Sequence, residues 1–182
     1  MTSNPETDRL NQLLDPNQRE RAYKELVIEF QKPLYRLIRN MVLSHDDAED
    51  VLQNTFVKVF QNLSKFNGES KLYSWMYRIA TNEALTHLQQ KARLKHQSTE
   101  SHLLEKAMKL TADPYFDGDV YQQHLQKAIA QLPIKQQLVF KMKYFEALKY
   151  EEMAEILDTS VGALKASYHH AVKKIEKYVA SI

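Results

Sequence analysis

The sequence predicts an all-α protein made of two small helical domains joined by a flexible linker, and three observations carry that reading. Only three glycines occur in 182 residues, Gly68, Gly118 and Gly162, whereas β-hairpins use glycine freely in their turns. Apolar residues recur at three- and four-residue spacing along most of the chain, which is the period of one helix face. That pattern weakens at residues 96–120, where Asp113-Pro114 and Asp117-Gly118-Asp119 stand, and such clusters mark turns and linkers.

Taken in order, residues 1–19 read as an N-terminal tail. Its start, MTSNPETDRLNQLLDPNQRER, lacks the basic stretch and apolar core of a secretory signal. A helical bundle is expected over 20–95. Leu26, Phe30, Leu34, Leu37, Ile38, Met41 and Val42 form its first apolar stripe. Pro33 falls inside the stripe and should start or kink a helix there, because it has no backbone donor and crowds the preceding turn. Ser44 is placed to cap a second helix ahead of the acidic Asp46, Asp47, Glu49 and Asp50. Val51, Leu52, Phe56, Val59, Phe60 and Leu63 are its expected buried face. A third helix should run from about Leu72 to Lys95, after a loop centred on Gly68.

Residues 96–120 are expected to be a linker, flexible when free, with room for one partial helix, and 121–182 a second domain. There, Leu125, Ile129 and Leu132 precede Pro133, and Leu138, Val139, Met142 and Phe145 follow it. Two short helices, Tyr150 to Leu157 and about Val161 to Val179, complete the chain.

Composition bounds the function. Apolar residues at 43% and charged residues at 26% belong to a soluble, folded protein. No stretch approaches the roughly 20 apolar residues of a membrane helix. With no cysteine there is no disulfide framework and no thiolate metal site, and a cytoplasmic location is expected. A formal charge of +2 says nothing about a polyanionic partner. No Gly-rich phosphate loop, nucleophile–base pair or metal cluster is present in the sequence, so no catalytic residue, no cofactor and no metal are expected.

The stretch YEEMAEILDTSVGALKASYHHAVKKIEKY has the form of a helix-turn-helix. Met153, Ile156 and Leu157 face the core from the first helix, and Thr159 or Ser160 can cap the second. In the second helix Leu164, Tyr168, Ala171 or Val172, and Ile175 point inward. Lys165, Ala166, His169, His170 and Lys173 are left outward, a face suited to the major groove: short side chains allow approach, imidazoles reach base edges and lysines meet phosphates. The plain alternative for any single lysine is a solvated face. His169 and His170 point about 100° apart on a helix, which does not suit one metal ion.

A second stretch, FNGESKLYSWMYRI, sets a Gly-centred polar loop before a basic helix start with the only Trp of the chain. Packing would account for the rings, and so would holding unstacked bases.

The run LPIKQQLVFKMKYFEALKYEEMAEILDTSVGALKASYHHAVKKI resembles region 4 of bacterial RNA polymerase sigma factors. SHDDAEDVLQNTFVKVFQNLSKFNGESKLYSWMYRIATNEALTHL is similar to region 2 of the same family. Their order, the short linker, and the lack of any region 1.1 or region 3 match the extracytoplasmic-function (ECF) group. The resemblance implies a sigma factor that binds core RNA polymerase, recognises −10 and −35 promoter elements and supports promoter melting. It implies an anti-sigma protein as a further partner.

On that resemblance, Asp46, Asp47, Glu49, Asp50, Gln53, Asn54 and Phe56 dock on the polymerase. The loop Lys65, Phe66, Asn67, Gly68, Glu69, Ser70 and Lys71 captures a flipped −10 base. Trp75 is a wedge at the upstream edge of melted DNA, with Tyr73, Arg78 and Asn82 on or near the same surface. Lys165, Ala166, His169, His170 and Lys173 meet the −35 duplex. Met76 stands where primary sigma factors carry a second Trp, and Leu72 near a stacking aromatic, which suggests weaker melting and narrower promoter choice. The recognition helix reads LKASYHHA where many relatives read VKSRLHRA, and losing arginine changes the guanine contacts available. Two readings stand beside this one: a helix-turn-helix DNA-binding regulator that never engages core polymerase, and a protein-interaction module.

Overall fold

The computed structural model describes residues 5–182, and no strand occurs among them. Nine α-helices follow one another among the described residues: α1 (Pro5–Leu14), α2 (Arg19–Val42), α3 (His45–Asn62), α4 (Leu72–Leu94), α5 (Thr99–Met108), α6 (Val120–Ala130), α7 (Ile134–Tyr144), α8 (Tyr150–Leu157) and α9 (Val161–Val179).

Helices α2, α3 and α4 form the front bundle. Leu26, Leu34, Leu37, Ile38, Met41 and Val42 of the expected stripe are buried, and Phe30 is half-buried. Helix α2 runs through Pro33 without ending there, so no helix starts at that residue. It ends at Leu43, whose left-handed φ of 57° lets its N–H close on the Arg39 carbonyl. Ser44 caps α3 as expected, accepting from the Asp47 N–H. Val51, Val59 and Leu63 are buried, while Phe60 remains 39% exposed beneath the Arg19 guanidinium, 4.2 Å from its ring.

The N-terminal residues hold more structure than a tail. Residues 1–4 lie outside the described ones, but α1 packs on α2 with Leu13 fully buried, and Arg9 pairs with Glu29 at 2.5 Å. The sequence hides this because α1 buries one large side chain in ten residues, too few for a clear period.

Residues 96–120 contain a full helix rather than a partial one. Ser98 caps α5, Leu103 and Ala107 are buried on its underside, and Leu110 is buried in the 3-10 turn just beyond its end. Lys106 donates to Asp47 in α3 at 3.3 Å, and the Glu100 carboxylate accepts from the Ile134 N–H at the start of α7, also at 3.3 Å. The connector therefore braces both halves.

Helices α6 to α9 form the second unit, with Leu125, Ile129, Leu132, Phe140, Ala171 and Ile175 in one core. Its other side does not face water. Leu138, Met142, Met153, Ile156 and Leu164 join the apolar cluster of the front bundle. Asn40 of α2 also donates to Glu146 at 3.0 Å.

Candidate nucleic-acid interface

The outward face of α9 is built from the turn before it. Asp158 takes a left-handed φ of 49° and ends α8, a conformation aspartate tolerates better than most side chains. Ser160, rather than Thr159, caps α9 by accepting from the Ala163 N–H at 3.3 Å. Leu164, Ala171 and Ile175 are buried and Tyr168 is half-buried, which turns Lys165, Ala166, His169, His170 and Lys173 to solvent. The imidazoles of His169 and His170 lie 6.0 Å apart and tilted by 58°. Among the described residues no group of three potential metal ligands comes together.

Sequence reasoning missed what stands beneath this face. The Tyr150 ring lies 4.8 Å from the Lys143 ammonium and 5.7 Å from that of Lys165. Tyr150 meets Tyr168 edge-on, and Tyr168 stacks on Phe140 at 5.7 Å, which stacks on Tyr144 at 5.1 Å. Tyr150 and Lys165 are 15 residues apart, so no local spacing reveals the pair.

The loop before α4 has a defined shape. The Asn67 side chain accepts from the Glu69 N–H at 3.2 Å, and Gly68 has φ +74° with open space where a Cβ would stand. Backbone strain, not crowding, is what calls for glycine here. Asn67 and Gly68 are exposed and Ser70 partly so. Phe66 departs from the expected role: it is 7% exposed and lies under Trp75, with ring centroids 5.1 Å apart. Trp75 is half-buried, so one part of the indole packs and the rest reaches the surface.

Tyr73, Arg78 and Asn82 lie along α4, and two of the three are engaged. Nε and Nη2 of Arg78 both donate to the backbone carbonyl of Glu155 in α8. The Tyr73 hydroxyl is buried beside Glu152 without a well-aligned partner. Burial first, and then the Glu152 charge, push that phenol far above its ordinary range. Asn82 is exposed and lines a crevice of about 590 Å³ with Leu85, Leu157 and Thr159.

On α3, Asp46, Glu49, Asp50, Gln53 and Asn54 are exposed, and Phe56 is half-buried. Asp47 is not available as expected. It is 7% exposed, with His87 at 3.0 Å, Lys91 at 3.3 Å and Lys106 at 3.3 Å. Burial raises its pKa, but the hydrogen bond from His87 and the charges of Lys106 and Lys91 outweigh that and hold it at about 2. The sequence shows four acidic residues within positions 46–50 and cannot show which of them points inward.

Comparison with known proteins agrees with both halves. Residues 26–94 match the family model of Sigma-70 region 2, and residues 122–175 that of Sigma-70, region 4. The chain is 30% identical over 176 residues to the RNA polymerase sigma-H factor of Pseudomonas aeruginosa, covering 91% of each protein. It is 28% identical to the ECF RNA polymerase sigma-E factor of Haemophilus influenzae, covering 88% of each. Its fold matches CnrH solved in complex with the cytosolic domain of CnrY, with a TM-score of 0.67 at 19% identity, covering 96% of this chain and 97% of that one. It also matches the sigma factor RpoE solved with the anti-sigma factor NepR from Bartonella quintana, with a TM-score of 0.65 at 19% identity, over 87% and 96% of the two chains. A bundle and a helix-turn-helix, each matched to its own region and joined in this order, make the chain a member of the sigma-70 family of transcription initiation factors, of the ECF type.

Proposed function

We propose that this sigma factor recruits core RNA polymerase through the exposed part of α3 and grips two stretches of one promoter with its two domains. Asp46, Glu49, Asp50, Gln53 and Asn54 make the polymerase contact, with Phe56 behind them. Asp47 serves the fold instead. The loop Asn67-Gly68-Glu69-Ser70 and the accessible edge of Trp75 receive unstacked bases of the −10 strand, where ring stacking and hydrogen bonds to free base edges replace what the duplex loses. Tyr73, Arg78 and Asn82 continue that surface along α4. Lys165, Ala166, His169, His170 and Lys173 enter the −35 major groove.

The observation that carries this reading is the outward, uncovered face of α9 on a chain that also holds the exposed Asn67-Gly68 turn beside a part-exposed indole. Strand opening on this scheme uses binding energy alone. Polymerisation belongs to the core enzyme, so the chain acts as a non-catalytic subunit and works where core polymerase works, in the cytoplasm. No helix among the described residues is long and apolar enough to cross a membrane. Two structural neighbours were solved with bound protein partners, one of them an anti-sigma factor, and an anti-sigma partner is proposed here too.

The test is transcription in vitro with core polymerase from a related bacterium and promoter fragments selected by the reconstituted holoenzyme. Specific initiation is expected. Absence of initiation at every selected fragment overturns the reading.

A further inference from the structure

We infer that the crevice between α2, the connector and α6 is a binding site for a small ligand, of the class of a free nucleoside 5′-phosphate. The site shares no residue with the polymerase and promoter contact sets, and it stands whether or not those assignments hold.

The crevice has a volume of about 550 Å³, within the range of small-molecule sites. Arg36 of α2, Tyr115 and Phe116 of the connector, and Gln126 of α6 stand on its walls. Three of these groups have capacity to spare. Gln126 is 8% exposed, and its carboxamide oxygen is fully buried with no hydrogen-bond partner. Such an atom costs free energy until something donates to it. Arg36 reaches only to 4.0 Å from the Glu146 carboxylate and its side chain is 70% exposed, whereas Arg39 beside it is committed to Asp113 at 2.5 Å. The Tyr115 ring stacks on His45 at 3.8 Å, yet remains 62% exposed, so its second face is open.

One close fit shapes the wall. A Cβ at Gly118 would come within 2.3 Å of Cζ of Phe116 and 2.6 Å of Oε1 of Gln122. The Asp117-Gly118-Asp119 turn therefore needs its glycine so that these two side chains can fold in against it.

A nucleotide matches what is on offer. Its planar base stacks on the open face of Tyr115, and an N–H on the base edge meets the Gln126 oxygen. Its phosphate pairs with Arg36, whose planar fork suits phosphate oxygens. The exposed Asp117 carboxylate also lines the crevice. It repels a bare anion but accepts from sugar hydroxyls, which favours a ligand that carries its phosphate and its sugar as separate groups. Inorganic phosphate would leave Tyr115 and Gln126 unused.

The experiment is calorimetric titration of the full chain with AMP, GMP, CMP and UMP, with inorganic phosphate and a 5′-phosphorylated RNA tetranucleotide as further arms. The variants are Arg36→Ala, Tyr115→Ala and Gln126→Leu. Melting curves first establish that each folds, and Arg36→Gln, Tyr115→Leu and Gln126→Met replace any that does not. Gln126→Leu should melt no lower than wild type, since it removes an unpartnered buried amide, so its loss of binding is not a loss of fold. Expected is one-to-one binding of at least one monophosphate, weakened about tenfold by each substitution. The inference falls if none of the four monophosphates binds at millimolar concentration, or if inorganic phosphate binds as tightly as they do. It falls as well if any folded variant binds as wild type does, or if the tetranucleotide alone binds, since the site would then serve a nucleic-acid strand.

Discussion

Phe66 lies beneath Trp75 with ring centroids 5.1 Å apart and planes tilted by 45°, so the two aromatic residues of one loop-and-helix start divide their work. The buried ring fixes the half-buried one. Phe66→Ala should destabilise the fold by about 3–5 kcal/mol, as for other large-to-small core changes. Trp75→Ala should cost less stability and reduce open-complex formation while leaving core binding near wild type. Melting curves and permanganate footprinting of the transcription bubble separate the two effects. Equal loss of stability and of core binding in Trp75→Ala would mean the indole only packs.

Asp47 ties three helices together through His87, Lys91 and Lys106. Its folded pKa of about 2 lies below the ordinary value of 3.8. A depressed carboxylate gives stability that is present above the unfolded value and lost as pH falls toward the folded one. Wild type should therefore weaken between about pH 4 and pH 2. Asp47→Asn should be less stable at neutral pH by about 1–3 kcal/mol, toward the low end because Lys91 is half exposed. Its stability should also change less across that acid range. Urea titrations at a series of pH values check both points.

Lys141 of α7 is 3% exposed, and burial pushes its ammonium down to about 7 from 10.5. For a base with a depressed pKa the folded state binds fewer protons between those two values, so stability rises as pH climbs from about 7 toward 10. Below 7 the chain carries the full cost of a buried charge. Lys141→Met keeps the stem's volume and removes that cost. The variant should be more stable than wild type by on the order of 1–3 kcal/mol at pH 6, well short of the full shift because buried ions draw in water. The gain should shrink at pH 9. Thermal melts at the two pH values decide it.

Tyr150 sits under Lys143 and Lys165. A cation over an aromatic face gains about 0.5–1 kcal/mol at an exposed site, so Tyr150 should orient Lys165 rather than touch DNA itself. Tyr150→Leu should weaken −35 duplex binding by about two- to fivefold with the salt dependence unchanged. Lys173→Ala should instead lower the salt slope by about one, as loss of one phosphate contact does. Binding isotherms at several salt concentrations distinguish the two. A change of slope in Tyr150→Leu would show that its ring acts by some route other than Lys165.

The parts of this fold that were legible in the sequence share a cause. Helices α4, α8 and α9 bury regular stripes, and their bounds follow from period and capping alone: Ser160 before α9 and Ser44 before α3 are local signals. The outward set on α9 was legible for the same reason. What escaped is set by contacts between distant segments. Asp47 and Phe66 look exposed in their own neighbourhoods, and only α4 and α5 on one side and Trp75 on the other reveal them as buried. Helix α5 escaped because its apolar underside is shared between two domains, so neither domain's pattern contains it. Pro33 starts no helix because the missing donor and the clash it brings are local penalties, and packing of the 24-residue helix on α3 and α4 outweighs them.

That shared underside gives the connector a mechanical character. Leu103, Ala107 and Leu110 are sealed against their neighbours, and hydration of each large apolar side chain costs about 1.5–3 kcal/mol. A strand of linker with no buried residues would act as slack string between the halves. This one resists being drawn out, because parting the two halves would bring those sealed side chains into water.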